Sequence, residues 1–386
     1  MPIAVEQLDP IVFNSSPDPT VGVEVEAWLV DSRSGELAQA AELLLGEVRP
    51  PGEDAHPKLK HELFLSTVEA ITGICATVPE AGDDLRGTFA ELKEAADHIG
   101  VALMASGTHP FARWQDQRVS PNDRYLDFVS RLGWPVRRLA ICGIHVHVGV
   151  SSGEAAVAIT RAVSEQLPLL LALSASSPYW SGDDTTLAST RTKVFETLPT
   201  AGLPPLLHDW EDFEGFMHGL LRAGVIDSIR EVWWDVRPHP DFGTVEFRMC
   251  DAVPTLRETL AIAALAQCLV VRFERMLASG AALPQPRDWV SAENKWLACR
   301  HGVAANLLVG DQGDRRSAVD LIADAVEELA PVADELGCRR ELDSALTLAR
   351  AGTSADRQRE VVASGGSTRD VVESLTAEFC GAEGYL

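Results

Sequence analysis

The sequence predicts an α+β protein: an antiparallel-dominated, twisted sheet with one open polar face, backed by helices and followed by a helical C-terminal region. Three stretches predict it. Gly22-Val-Glu-Val-Glu26, Gly143-Ile-His-Val-His-Val-Gly149 and Thr244-Val-Glu-Phe-Arg248 each alternate apolar with ionisable residues. A strand turns successive side chains to opposite faces. Glu24 and Glu26 therefore share one face, and Val23, Val25 and Ala27 take the other. His145 and His147 are set against Ile144, Val146 and Val148, and Glu246 and Arg248 against Val245, Phe247 and Met249. One sheet satisfies all three, with a greasy face on helices and a second face of carboxylates, imidazoles and a guanidinium. Like charges two residues apart repel unless something cationic sits between them. The pattern points to a metal-centred site on the floor of a sheet.

Taken in order, Val21–Val30 reads as a strand, reversed into a hairpin by the turn-rich Asp31-Ser-Arg-Ser-Gly35. The β-branched run Thr67–Ile74 is a second strand. Leu85, Phe89, Leu92, Ala96 and Ile99 recur at helical spacing, so Pro79–Ile99 is a helix that Gly100 stops. A βαβ-like step leads into Val101–Ser106. Ile141–Val150 is the histidine strand, and Gly153–Leu173 a long apolar helix interrupted near Pro168. Val232–Arg237 and Thr244–Cys250 are joined by Pro238-His-Pro-Asp-Phe-Gly243, short enough for antiparallel neighbours. Leu256–Leu277 and Ser291–Leu308 are helices. Gly310–Arg316 is a hydrophilic linker, so residues 1–310 are expected to form the main domain, which carries the polar sheet face. Residues 311–386 form a wholly helical extension packed on it: Ala318–Leu336, Glu341–Arg350 and, after the flexible joint Ser364–Ser367, Ser367–Phe379.

The formal charge of −24 argues against non-specific nucleic-acid binding and against anionic membranes. Seven scattered cysteines, with no CxxC pair, fit a reducing compartment better than a disulfide framework. Met1–Gln7 lacks the basic and apolar regions of a secretory signal. The expectation is a soluble, cytoplasmic protein acting on small molecules, with homo-oligomerisation left open.

Glu62 and Glu69 flank Leu63-Phe-Leu-Ser-Thr-Val68, so they join the two acids of the first strand as candidate ligands. An acid-rich, imidazole-poor set suits Mg²⁺, which takes oxygen donors and substrate phosphates, better than zinc. Arg191, in Ala188-Ser-Thr-Arg-Thr-Lys193, is either a surface arginine or a fork for a substrate carboxylate. Neither GxxxxGK[ST] nor GxGxxG occurs, so a nucleotide would have to be held by metals and arginines.

Eight motifs carry a family resemblance across nearly the whole chain. They are Val21-Gly-Val-Glu-Val-Glu26, Ala105-Ser-Gly-Thr-His-Pro-Phe-Ala112, Gly143-Ile-His-Val-His-Val-Gly149 and Leu171-Ala-Leu-Ser-Ala-Ser-Ser-Pro178. Leu198-Pro-Thr-Ala-Gly202, Trp233-Trp-Asp-Val-Arg-Pro238, Gly243-Thr-Val-Glu-Phe-Arg248 and Glu293-Asn-Lys-Trp296 follow in family order. The chain resembles glutamate–cysteine ligase family 2, the bacterial carboxylate–amine ligases of the glutamine-synthetase-like superfamily. The resemblance implies a glutamine synthetase/guanido kinase-like fold and ATP-dependent amide formation from glutamate and an amine, cysteine in the namesake reaction, through an acyl phosphate. It also implies two or three Mg²⁺ on Glu24, Glu26, Glu62, Glu69, His145 and Glu246. His147 is left open, because its position is a ligand only in some relatives. Arg248 would act on the transferring phosphoryl group, Arg191 on a substrate carboxylate or phosphate, and Asn294 with Arg248 on the nucleotide. The competing reading is a metal-dependent amidohydrolase, whose barrels also open a metal site with HxH on a strand. Those carry it near the N-terminus in a repeating βα pattern, whereas here it sits mid-chain among acids.

Overall fold

The computed structural model describes residues 8–386; the expectation for Met1–Gln7 lies outside them. Seven strands form one sheet: β1 (Val21–Asp31), β2 (Leu59–His61), β3 (Thr67–Ile71), β4 (Val101–Met104), β5 (Gly143–Gly149), β8 (Val236–His239) and β9 (Thr244–Asp251). Between β5 and β8 the chain makes a small ribbon, β6 (Tyr179–Trp180) and β7 (Asp183–Asp184). The main order is β2-β3-β1-β5-β9-β8, with β4 also on β1, and every pairing is antiparallel. The α+β architecture is as the alternation predicts.

The long β1 organises the sheet. It pairs with β3 through Glu24–Trp28 on one side and with β5 through Val21–Val25 on the other, and β4 takes Trp28–Asp31. β3 and β4 are both antiparallel to β1 and hence parallel to each other, joined by the helix Val78–His98, which is the βαβ-like step. The turn after Asp31 does reverse the chain, held by Asp31 Oδ1 accepting from Arg33 and Ser34. It closes only a single bridge, Val30 to Leu37, rather than a hairpin.

The apolar face of the sheet is covered by helices. Val78–His98 lies on β1, β3 and β4, Leu256–Ala278 on β1 and β5, and both Gly153–Val163 and Leu167–Ser174 on β9. Val23, Val25, Ala27, Ile144, Val146, Val148, Val245 and Phe247 are all buried in the one large core. The anticipated break near Pro168 is a bend of 66° between the two helices Gly153–Val163 and Leu167–Ser174. Among the described residues no single helix is long and apolar enough to cross a membrane.

Three boundaries differ from the sequence reading. The eighth strand begins at Val236, and Val232–Asp235 precedes it as a segment held by Asp235 N–H donating to Gly202 O at 2.8 Å. The helix expected over Ser291–Leu308 runs Asp288–His301 and stops at Gly302, whose φ of 55° is left-handed. Asn306–Val309 is then a strand, β10, paired with β11 (Asp314–Ser317), so the hydrophilic linker is the turn and return of a hairpin. The chain beyond residue 310 is therefore not wholly helical. Ala318–Leu336 and Arg339–Ala351 pack on Leu256–Ala278, and Thr368–Phe379 on β4. A further helix, Ser354–Ala363, precedes the joint at Ser364–Ser367.

Candidate active site

The polar face is a set of cross-strand rows. Glu26 of β1 stands opposite Glu69 of β3, and Glu24 opposite His145 of β5. His147 stands between Gly22 on one side and Glu246 of β9 on the other, and Arg237 of β8 completes that row beside Glu246. Glu62 follows β2 and reaches the Glu26–Glu69 end. The result is three overlapping trios whose donor atoms lie within 4.8 Å of one another: Glu24–His147–Glu246, Glu24–Glu69–His145 and Glu26–Glu62–Glu69. All six predicted ligands are brought together. His147, left open by the sequence, belongs to the first trio.

Glu24 is the hinge of the cluster. Its Oε2 meets His145 Nδ1 at 2.7 Å, and its Oε1 faces His147 Nε2 at 3.3 Å. Burial pushes this carboxyl up, but the hydrogen bond from His145 and the facing His147 ring outweigh it and hold Glu24 well below its ordinary value. The far end behaves oppositely. Burial first, then the charges of Glu26 and Glu24, push Glu62 up to about 8, and burial with Glu24, Glu62 and Glu26 pushes Glu69 well up. Carboxyls crowded in this way stay protonated unless a cation joins them. His147 is fixed through Nδ1 on Thr244 Oγ1 at 3.0 Å, while its buried Nε2 has no hydrogen-bond partner. That nitrogen points between Glu24 and Glu246, the latter at 3.9 Å. Oxygen-rich trios with an orphaned imidazole nitrogen fit hard divalent cations of the Mg²⁺ kind.

Glu246 is buried between two guanidiniums. Arg237 donates Nε to Oε2 at 2.7 Å, and Arg248 Nη1 contacts Oε1. Burial alone would raise this carboxyl, but Arg237, Arg248, His147 and His145 together hold it well below its ordinary value. Arg237 was missed by the sequence reading. The signal was available, since a short loop between two antiparallel strands puts Arg237 directly across from Glu246.

The ladder between β5 and β9 shifts between Ile144 and Val146, so that Arg248 and Met249 together oppose His145. Such a bulge leaves carbonyls unpaired and re-aims side chains. Arg191 fills it, donating Nη1 to Met249 O at 3.1 Å and Nη2 to Arg248 O at 3.2 Å. Gly143 makes the room, because a Cβ there would collide with that guanidinium. Gly143 N–H also donates to Glu26 Oε2 at 2.5 Å. Arg191 is thus buried, with its Nε unpartnered, rather than an exposed fork.

Asn294 has a different partner from the one expected. Its amide bonds Leu308 at both atoms, Nδ2 to the carbonyl at 3.0 Å and Oδ1 from the N–H at 2.7 Å, anchoring β10. None of its hydrogen-bond partners belongs to the cluster, so a nucleotide contact at Asn294 is not supported by this geometry.

Residues 20–374 match the family described as Glutamate-cysteine ligase family 2 (GCS2). The chain belongs to this family. The "Putative glutamate--cysteine ligase 2" of Thermobifida fusca is 48% identical over 370 residues, covering 96% of this chain and 93% of that protein. The protein of the same name numbered 2-1 from Frankia alni is 51% identical over 372 residues, with 96% and 97% covered. Among solved structures, glutamate–cysteine ligase from Francisella tularensis in complex with AMP superposes with a TM-score of 0.72, covering 96% of this chain and 91% of that one. At 13% identity that likeness speaks for the fold. Membership of glutamate–cysteine ligase family 2 makes the protein a carboxylate–amine ligase, an enzyme that forms C–N bonds. The amidohydrolase alternative finds no support, since an open antiparallel sheet is not a repeating βα barrel.

Proposed function

We propose that this protein is an ATP- and Mg²⁺-dependent ligase that joins the γ-carboxylate of glutamate to an amine, cysteine in the first instance, through an acyl phosphate. The observation that carries this reading is the sharing of Glu24 and Glu69 among three adjacent trios. A carboxylate and a triphosphate repel one another, so their in-line approach needs several positive charges side by side. Mg²⁺ held by Glu24, Glu26, Glu62, Glu69, His145, His147 and Glu246 would supply that charge and polarise the phosphoryl oxygens. We assign Arg248, on the same face as Glu246 and held by it, to the transferring phosphoryl group. We assign Arg191, whose buried Nε has no partner and whose guanidinium packs on Gly143, to a substrate carboxylate oxygen.

In the first step a carboxylate oxygen attacks the γ-phosphorus of ATP, and ADP leaves with the electron pair of the broken P–O bond. In the second, the amine nitrogen attacks the acyl carbon, phosphate departs and the nitrogen gives up its proton. The test is a panel of amines with glutamate, ATP and Mg²⁺, scored by phosphate release and product mass. Amide formation that proceeds without ATP, or amide hydrolysis in its place, would refute it.

A further inference from the structure

The backbone of Arg248 is held on one side by the residue that continues the β8–β9 register and on the other, at the bulge towards β5, by a side chain. Its N–H donates to Asp235 O at 2.8 Å, and its carbonyl accepts from Arg191. The bulge frees this residue from β5, so the rung to Asp235 and the contact from Arg191 decide where the guanidinium aims. Both lead to one buried ammonium. Lys295, in the Glu293-Asn-Lys-Trp296 motif, places Nζ 2.5 Å from Asp235 Oδ2 and 2.6 Å from Glu196 Oε1. Glu196 is the residue that ends the helix Thr190–Phe195, which carries Arg191.

Lys295 and Asp235 are 5% and 1% exposed, so the pair is far from solvent. Burying an ion pair costs desolvation that the attraction only roughly offsets, and replacing it by apolar groups is often neutral or better for stability. Its position explains it better than stability does. We propose that Lys295, bridging Asp235 and Glu196, is a positioning residue that sets Arg248 for phosphoryl transfer by locking the two backbone partners of that arginine. The inference rests on the ligase reading above, but it assigns Lys295 and Asp235 no contact with substrate.

The experiment compares Lys295→Met, Lys295→Arg, Asp235→Asn and the double variant Lys295→Met/Asp235→Asn with the unaltered enzyme. Melting temperature, kcat and both KM values are measured in saturating Mg²⁺. The single variants Lys295→Met and Asp235→Asn should lose at least about tenfold in kcat, as expected for a misplaced catalytic group, with both KM values nearly unchanged. Lys295→Arg, which keeps the charge, should recover part of that loss. The double variant should recover melting temperature, because no buried charge is left unpaired, and should not recover kcat. Folded single variants with unchanged kcat, or a double variant that regains kcat along with its melting temperature, would overturn the proposal and leave the ligase reading intact. Absence of ATP-dependent amide formation by the unaltered enzyme would overturn both.

Discussion

Arg237 and Glu246 form a buried ion pair, Nε to Oε2 at 2.7 Å, across the β8–β9 ladder. Glu246 is therefore both a candidate metal ligand and the counter-ion of two guanidiniums, since Arg248 contacts its other oxygen. Removing one partner of such a pair leaves the others charged and desolvated. Glu246→Gln should lose about 3–5 kcal/mol of stability together with Mg²⁺ affinity. Urea melts and calorimetric Mg²⁺ titration check both. A variant as stable as the parent would show that the arginines find other partners.

Phe247, next along β9, points the other way and is 1% exposed in the core. Phe247→Ala should cost about 3–5 kcal/mol through the cavity it opens. The folded fraction should bind Mg²⁺ with the parent's affinity. Loss of affinity in the folded protein would mean that the two faces of β9 are coupled.

The polar face was legible because period-two alternation needs only a sequence and a strand. It gave Glu24, Glu26, His145, Glu246 and Arg248 a common face before any pairing was known. What it could not give is register. Whether His147 joins the cluster depends on Gly22 and Glu246 lying level with it, and whether Arg191 is free or buried depends on the bulge opposite His145. Spacing within one strand carries neither. The helix Ser354–Ala363 escaped notice because it has almost no apolar stripe, burying only Ser354, Ala355 and Gln358. Its one local signal is the Thr353–Asp356 capping box. At 306–309 the apolar run Leu307–Leu308 fits a helix end or a strand equally, and Gly302 was the decisive residue.

Arg191 and Arg248 differ in what a lysine would forfeit. On the sequence alone, Arg191→Lys would chiefly raise the KM for glutamate. The structure adds that its two terminal nitrogens satisfy both bulge carbonyls, a task one ammonium cannot repeat in the same geometry. An unsatisfied buried carbonyl costs about 1–3 kcal/mol. Arg191→Lys should therefore lower stability by that amount and reduce kcat as well as glutamate affinity. Arg248→Lys should reduce kcat with stability less affected. Steady-state kinetics with each substrate varied, beside thermal melts, separate the two. A rise in glutamate KM for Arg191→Lys with kcat and stability untouched would return it to a purely substrate-binding role.

The last prediction concerns pH. Burial and the charges of Glu26 and Glu24 push Glu62 up to about 8 from an ordinary 4.5. Between those values the folded protein holds a proton that the unfolded chain has released. Stability from this group is thus complete below the lower value and is lost as pH rises through the upper one, at about 1.4 kcal/mol per pH unit at most. Glu69 is shifted the same way by the same neighbours, so the effects combine. A divalent cation reverses the preference, because it binds the ionised carboxylates and its affinity grows as the protons leave. Without divalent ions, melting temperature should fall from about pH 5.5 to about pH 8.5 more steeply in the unaltered protein than in Glu62→Gln. Saturating Mg²⁺ should flatten the unaltered protein's curve and do less for the variant. Parallel curves for the two proteins in chelator would mean that Glu62 is solvated in solution and lies outside the cluster.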